Sequence, residues 1–214
     1  MRIAVYSGTF DPLHIGHQAI MEYLTNNKGF DWVYLVVSPQ NPFKQAGLVK
    51  SGEQRYKAAV EAVRRHPELH VWVDDIELHM EPPHYTIRTL EALKKREPEN
   101  EFTLVIGADN LDSIRKWRDF PRILSEFGVA VYPRAGYDVR RIRERLHEEC
   151  RNIHMPAYVL DNAETHDLDG TSSLEDDRAN LYHIQIIDAP LCNISSTEIR
   201  EAQARGIDMS KYLM

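Results

Sequence analysis

Short apolar segments alternate with helical patterns along most of the chain, and this alternation restricts the fold more than any other sequence feature. The segment 32–37, WVYLVV, is apolar nearly without interruption, as expected of a strand that is covered on both faces. Strands are predicted at residues 3–6, 32–37, 71–73, 102–106, 129–132 and 182–187. Repeated strand-helix alternation predicts an α/β fold with right-handed crossovers and a doubly wound parallel sheet.

Helical periodicity predicts helices between these strands. They are expected at residues 15–24, 51–66, 86–95, 111–117, 123–127, 139–150 and 195–204. Ser51 with Gln54 and Ser195 with Glu198 have the spacing of capping boxes. Ligands of doubly wound sheets bind beyond the carboxyl ends of the strands, so the loops at 7–17, 38–44 and 107–109 are expected to converge.

Length, charge and cysteine content indicate an ordinary globular protein. The 214 residues suit one domain, 1–214, with a surface insertion at about 136–180 whose part at 161–180 is acidic and polar. A net charge of -7 argues against a protein that coats nucleic acid, although a local basic pocket is compatible with it. Cys150 and Cys192 are too far apart for a CxxC unit and are interpreted as reduced thiols. With no apolar run of about 20 residues, a cytoplasmic protein without a membrane partner is expected.

The segment 8–17, GTFDPLHIGH, lies between the first predicted strand and the first predicted helix. His14 and His17 are three residues apart at the positive end of that helix, where two imidazoles could hold polyphosphate. Gly8 and Gly16 leave room for a phosphate or a base beside the backbone, and the amides around Thr9 and Phe10 add donors. The alternative is that the two histidines only cap an ordinary helix.

This segment resembles the GTFDPxHxGH signature of the HxGH nucleotidyltransferases. The same family has a second motif, ISSTxIR, which opens a late helix, and residues 194–200 read ISSTEIR. From the residues alone, the second motif offers hydroxyls, a helix N-terminus and an arginine whose planar fork suits phosphate oxygens. The resemblance implies a Rossmann-like nucleotidyltransferase fold.

Within this family the chain most resembles the bacterial nicotinate-nucleotide adenylyltransferases, over residues 1–135 and 186–213. The segments 41–44 (NPFK), 85–90 (YTIRTL) and 107–111 (GADNL, followed by Lys116-Trp117) are similar to their NPPHK, SYTIDTL and GxDxLxxxxxW motifs. The chain departs from their pattern at Ser7, which replaces a glycine, at His84, which replaces a serine, and in the shorter NPFK loop.

The resemblance implies adenylyl transfer from ATP to nicotinate mononucleotide, giving deamido-NAD and pyrophosphate. Mg²⁺ would be carried by ATP with no protein ligand, and a homo-oligomer is left open. Catalytic roles are expected for His14, His17, Lys44 and Arg200. ATP contacts are expected from Gly8, Thr9, Phe10, Gly16, Ile194, Ser195, Ser196 and Thr197, and acceptor contacts from Thr86, Gly107, Asp109 and Trp117. Asp109 could instead cap the following helix, and Trp117 could be a core aromatic.

Parts of the sequence also match proteins with other functions. The other HxGH enzymes, which act on nicotinamide mononucleotide or phosphopantetheine, and a non-catalytic nucleotide-binding regulator are the alternatives. HIGH at 14–17 also occurs in class I aminoacyl-tRNA synthetases, but 214 residues leave no room for an anticodon-binding domain. The motifs GxGxxG and GxxxxGK[ST] are absent, which disfavours a dehydrogenase and a P-loop enzyme. A metal hydrolase built on His147, Glu148, Cys150 and His154 lacks the HExxH spacing.

Overall fold

A computed structural model describes residues 1–39, 50–151, 182–190 and 192–214, without the side chains of Cys150 and Arg151. The whole NPFK segment 41–44, including Lys44, and the acidic segment 161–180 therefore lie outside the described residues. In the described part, no helix is long and apolar enough to span a membrane.

The predicted parallel sheet is confirmed, with six strands in the order β3-β2-β1-β4-β5-β6 and every neighbouring pair parallel. The strands are β1 (Arg2–Gly8), β2 (Trp32–Val37), β3 (Val71–Asp74), β4 (Glu101–Gly107), β5 (Val129–Tyr132) and β6 (Ile184–Ile186). The strand order reverses between β1 and β4, so the crevice for a ligand opens at the carboxyl ends of these two strands.

The helices are α1 (Ile15–Asn27), α2 (Gly52–Arg64), α3 (Thr86–Arg96), α4 (Ala108–Ser113), α5 (Phe120–Arg122), α6 (Val139–Arg151) and α7 (Ser196–Ala204). Two predicted helices differ from the observed ones. The helix predicted at 111–117 begins at Ala108, directly after β4, and continues as a 3-10 turn over Ile114–Lys116. The pattern at 123–127 is a π-helical turn that extends α5.

The sheet is covered on both faces, which explains why its strands read as nearly continuous apolar runs. Successive side chains of β1 alternate between the faces. Ile3 and Val5 join the core that is formed with α3, α4 and α6. Ala4 and Tyr6 join the core that is formed with α1 and α2. The two faces therefore place different helices beside the carboxyl end of the same central strand.

A buried arginine ties the loops at this edge together. The side chain of Arg55 on α2 is 1% exposed. Its Nη1 donates to the carbonyl of Thr9 at 2.6 Å, and its Nη2 donates to the carbonyls of Ser38 at 2.7 Å and Pro39 at 2.8 Å. Its Nε donates to the carbonyl of Lys50 at 2.9 Å. One guanidinium thus fixes the loop after β1 against the loop after β2, as the predicted convergence of these loops requires.

We predict that Arg55→Met strongly destabilises the protein. The substitution removes four hydrogen bonds of a buried charged group to partly buried carbonyls, and bonds to charged groups contribute about 1.5–3 kcal/mol each, so we expect the free energy of unfolding to fall by about 3 kcal/mol or more. Urea unfolding followed by circular dichroism measures it. Arg64→Met, at an exposed position of the same helix, is the control and should stay within about 0.5 kcal/mol. A loss below about 1 kcal/mol for Arg55→Met would contradict this role.

Candidate active site

Two histidines cap the N-terminus of α1 reciprocally. Nδ1 of His14, the N-cap residue, accepts from the backbone N–H of Gly16 at 3.2 Å. Nδ1 of His17 accepts from the backbone N–H of His14, also at 3.2 Å. The ring centroids are 3.7 Å apart and the planes are tilted by 30°. Because both Nδ1 atoms act as acceptors, each neutral ring carries its hydrogen on Nε2. The two histidines therefore do cap α1, as the alternative expected, and the same bonds fix the tautomer of both rings.

His14 is kept neutral by its surroundings. Its side chain is 5% exposed, and burial, with a smaller contribution from the positive charge of Arg134, lowers its pKa from 6.5 to about 4. Glu198 acts in the opposite direction and does not cancel these effects. At neutral pH the ring is therefore a hydrogen-bond donor through Nε2 and carries no charge.

The ISSTEIR motif is held against the first motif by hydrogen bonds across the length of the chain. Oγ of Ser196 donates to the carbonyl of Pro12 at 3.0 Å. The guanidinium of Arg200 donates to the carbonyl of Asp11 at 2.5 Å and to Oγ1 of Thr197 at 3.2 Å. The structure therefore brings the two motifs together, and the bonds that it shows for Arg200 go to the protein.

Ser195 begins α7 as its N-cap residue. Its Oγ accepts from the backbone N–H of Glu198 at 3.2 Å and donates to the carboxylate of the same residue at 2.7 Å. The N-cap bond of the predicted capping box is therefore present, whereas the Glu198 carboxylate accepts from Oγ of Ser195 and not from its backbone N–H. The N-terminus of α7 lies beside the N-terminus of α1, because Ser196 bonds to Pro12 just before that helix.

A cleft of about 560 Å³ lies where the two helix N-termini meet. Six of the residues predicted from the sequence line it: His14, Gly16, His17, Asp109, Ile194 and Ser195. Tyr6, Tyr132 and Arg134 also line it. The predicted convergence of the loops at 7–17 and 107–109 is thus confirmed, because both contribute to one cleft.

Gly8 and Gly16 occupy positions where a side chain would be crowded. A Cβ on Gly8 would lie 2.9 Å from the ring of Phe10, which packs edge-on against His17 at 5.2 Å between ring centroids. A Cβ on Gly16 would lie 3.1 Å from the ring of His14 and from Cβ of Cys192. The glycines of the first motif therefore allow the aromatic and imidazole rings to pack closely.

Arg134 is a residue of the cleft that the sequence analysis missed. Its Nη2 donates to the hydroxyl of Tyr132 at 3.2 Å, and its Nε lies 3.7 Å from Oδ1 of Asp109. Burial alone would lower the pKa of Arg134, but Tyr132, Asp109 and Tyr6 together raise it, so the group is cationic. A basic residue two positions after a predicted strand, at the ligand edge of the sheet, is the signal that could have identified it.

The structure distinguishes between the alternative roles that were predicted for Asp109 and for Trp117. Gly107 is the N-cap of α4 and the helix has no side-chain cap, so Asp109 does not cap it. A side chain at Gly107 would overlap that of Asp109. Trp117 is partly buried and packs against the core on the α3 face, as the core alternative expects, and Thr86 is the first residue of α3. Among the described residues, neither Thr86 nor Trp117 lines the 560 Å³ cleft.

A buried carboxylate connects the ends of β1 and β2 to α3, which the sequence analysis also missed. Glu77 is 4% exposed, and its Oε1 accepts from the hydroxyls of Thr89 at 2.8 Å and Ser7 at 3.4 Å. Oγ of Ser7 lies 3.1 Å from Oγ of Ser38. Ser7, which departs from the family pattern, is thus integrated into a hydrogen-bond network on the α3 face.

The metal-hydrolase alternative rests partly on His154 and on the side chain of Cys150, which lie outside the described residues. Within the described ranges, no three His, Cys, Asp or Glu side chains are placed so that they could hold a metal ion together.

Comparison with known protein families gives one consistent match. Residues 5–202 match the model of the cytidylyltransferase-like family. A protein of Bacteroides fragilis named "Probable nicotinate-nucleotide adenylyltransferase" is 34% identical over 213 residues, which are 99% of this chain and 87% of the relative. A protein of the same name from Flavobacterium johnsoniae is 30% identical over 213 residues, covering 100% of this chain and 92% of the relative.

Solved structures show the same fold. The nicotinic acid mononucleotide adenylyltransferase of Plasmodium falciparum, complexed with NaAD, superposes with a TM-score of 0.67 at 16% identity over 98% of this chain and 87% of that one. The same Plasmodium protein complexed with APC gives a TM-score of 0.64 at 16% identity, with 99% and 90% covered.

We predict that His14 makes folding stability depend on pH. The unfolded chain takes up a proton near the ordinary histidine pKa of 6.5 and the folded chain only near 4, so stability falls as the pH drops from about 7 towards 4. At pH 5 the expected loss is about 2 kcal/mol. His14→Asn keeps an acceptor for the Gly16 amide but does not titrate. The free energy of unfolding should therefore decrease more between pH 7 and pH 5 in the natural chain than in the variant. An equal decrease in both proteins would contradict the prediction.

Proposed function

The chain belongs to the cytidylyltransferase-like family and, within it, to the nicotinate-nucleotide adenylyltransferases, and on this premise we propose that it transfers the adenylyl group of ATP to nicotinate mononucleotide. The products are deamido-NAD and pyrophosphate, and the reaction is a step of NAD biosynthesis. The observation that carries the proposal is the stacked pair His14 and His17, held in one cleft with the start of the ISSTEIR motif.

The proposed reaction needs alignment and charge neutralisation more than proton transfer. The acceptor is a phosphate monoester whose second pKa is about 6, so it is already a nucleophile at neutral pH. One of its oxygens attacks the α-phosphorus of ATP, and the bond from the α-phosphorus to the bridging β-oxygen breaks as pyrophosphate leaves. No general base is required, and donors that face the transferring phosphoryl group supply the stabilisation.

In this proposal the α1 side of the cleft binds the triphosphate. His14 and His17 donate through Nε2–H, next to the positive end of the α1 dipole. His17, half-buried and steadied edge-on by Phe10, is assigned to the α-phosphate. Arg134, which also lines the cleft, adds a full positive charge.

The ISSTEIR motif contributes further ATP-binding residues next to the α1 side of the cleft. Ile194 and Ser195 line the cleft and are assigned to ATP together with the N-terminal amides of α7. Ser196 and Arg200 hold the carbonyls of the first motif, so part of their proposed role is to position that motif. The backbone of the first motif at Gly8 and Thr9 is assigned to contacts with ATP. Thr197 is assigned to holding the guanidinium of Arg200, from which its Oγ1 accepts a hydrogen bond.

The remaining predicted residues are assigned to the acceptor and to the phosphates: Lys44, Thr86, Gly107, Asp109 and Trp117. We propose that Lys44, outside the described residues, neutralises phosphate charge from the loop after β2. Asp109 accepts from a ribose hydroxyl, and Thr86 and Trp117 line the pyridine subsite on the α3 face. Mg²⁺ enters with ATP, bound by its phosphate oxygens and water, and supplies charge neutralisation there. The carboxylates of Asp109 and Glu198 line the cleft, where they could contact the water molecules bound to Mg²⁺.

We further propose that residues 1–214 act as a single cytoplasmic domain on free nucleotides, without nucleic acid or a membrane, and that a homo-oligomer is compatible with this function. The net charge of -7 supports the exclusion of nucleic acid, because phosphate backbones are bound through large positive surfaces.

Pyrophosphate release tests the proposed function. The purified chain is given Mg-ATP with nicotinate mononucleotide, nicotinamide mononucleotide or phosphopantetheine in separate reactions. We expect nicotinate mononucleotide to give the highest kcat/KM. Turnover with phosphopantetheine alone would exclude the proposed substrate while keeping the reaction class, and binding of ATP without turnover of any acceptor would favour a non-catalytic regulator.

His17→Ala should lower kcat by a factor on the order of 10² or more, because a donor to the transition state is lost. Steady-state pyrophosphate release measures it. His70→Ala is the control: His70 immediately precedes β3 and stacks on Trp32 at the amino end of the sheet, so kcat should be unchanged. An unchanged kcat for His17→Ala would restrict His17 to its capping role.

A further inference from the structure

The two residues assigned to the pyridine subsite have chain neighbours that touch each other. Tyr85 precedes Thr86 at the start of α3, and Arg118 follows Trp117 after the 3-10 turn. The guanidinium carbon of Arg118 lies 5.9 Å from the centroid of the Tyr85 ring, within cation-π distance. This contact joins the start of α3 to the segment after α4 and places a guanidinium where the two meet.

The positive charge of Arg118 is only weakly engaged by the protein. Its one described ion pair joins Nε to Oδ2 of Asp119 at 3.4 Å, and the side chain is 65% exposed. The neighbouring arginines are bound more closely. Arg88 donates to the carbonyls of Glu81 and Pro83 at 3.0 and 2.8 Å, and Arg122 lies 2.6 Å from the carboxylate of Glu126. Arg118 is thus the arginine of this neighbourhood with most of its donors available to a ligand.

We propose that Arg118 is a specificity-determining residue that favours nicotinate mononucleotide over nicotinamide mononucleotide, an inference that rests on the proposed function and deepens it. The two nucleotides differ only in a carboxylate or an amide on the pyridine ring. The planar fork of a guanidinium can donate two parallel hydrogen bonds to a carboxylate. An amide offers one acceptor oxygen and no charge, so Arg118 discriminates between them.

Backbone amides at the start of α3 could contribute to this discrimination but carry no full charge. The N-cap Tyr85 makes no side-chain capping bond, so the first amides of α3 can donate to a ligand oxygen. Two such donors would favour the two acceptor oxygens of a carboxylate over the single acceptor oxygen of an amide. The helix dipole adds only a modest preference for an anion. Arg118 adds a full positive charge to this preference, and the Tyr85 ring restricts where that charge lies.

Arg118→Ala tests the inference through a ratio. We expect KM for nicotinate mononucleotide to rise about tenfold, kcat to stay within about threefold, and the competitive inhibition constant of nicotinamide mononucleotide to stay within about twofold. Using inhibition for the amide makes the ratio measurable even if the amide is not turned over. Arg118→Lys should retain part of the preference because it keeps the charge but not the fork. The preference should also weaken with added salt.

Two neighbouring variants serve as controls. Lys116→Ala removes an exposed positive charge from the same segment, on a residue without a described contact to Tyr85, and should leave the acid-to-amide ratio unchanged. Asp119→Asn removes the carboxylate that competes for Arg118 and should keep the preference or increase it.

The outcomes separate this inference from the proposed function. If the natural chain releases no pyrophosphate with either pyridine nucleotide, both fail. If the natural chain is active but does not distinguish the acid from the amide, or if Arg118→Ala weakens both ligands equally, only the role of Arg118 is overturned. A selective loss for the acid, partly restored by Arg118→Lys, supports it.

Discussion

The buried guanidinium of Arg55 is the interaction on which the geometry of the cleft depends. Burial lowers the pKa of Arg55, and the negative charge of Asp11 opposes this effect. The charge is nevertheless satisfied mainly by backbone carbonyls from the segments after β1 and β2 and before α2. A buried charge leaves little freedom to its partners, because each displaced carbonyl would lose a charge-assisted hydrogen bond. The first motif therefore owes its shape partly to a residue outside it.

The histidine pair shows how one set of atoms can serve both folding and binding. Each Nδ1 satisfies a backbone amide at the start of α1 that would otherwise lack a partner. The same bonds fix the hydrogen of each neutral ring on Nε2. Because burial keeps His14 uncharged near neutrality, its donor ability is constant across the physiological pH range. A neutral Nε2–H donor can bind phosphate equally well above and below pH 6.5, whereas an ordinary imidazolium loses its positive charge above that pH.

Local patterns predicted the sheet well because strands covered on both faces leave nearly continuous apolar runs, as in β2 and β5. The π-helical turn at 123–127 could not be predicted, since it preserves the apolar spacing of an α-helix. That His14, His17 and Asp109 line one cleft could be predicted because the motifs occur at strand ends. The bonds from Arg200 to Asp11 and from Ser7 to Glu77 join residues far apart in the chain and depend on loop geometry, which no local pattern contains.

The two faces of β1 divide the proposed reaction between them. Tyr6 lines the cleft beside the N-termini of α1 and α7, whereas the next residue, Ser7, bonds towards α3. A chain with a net charge of -7 must bind two anionic nucleotides, so its positive potential has to be local. In the proposed reaction it comes on one side from helix N-termini and Arg134, and on the other from Arg118, which contacts Tyr85 at the start of α3. In this proposal the two nucleotides approach the carboxyl end of β1 from opposite faces of the sheet, so the acceptor phosphate meets the α-phosphorus beyond the end of this strand.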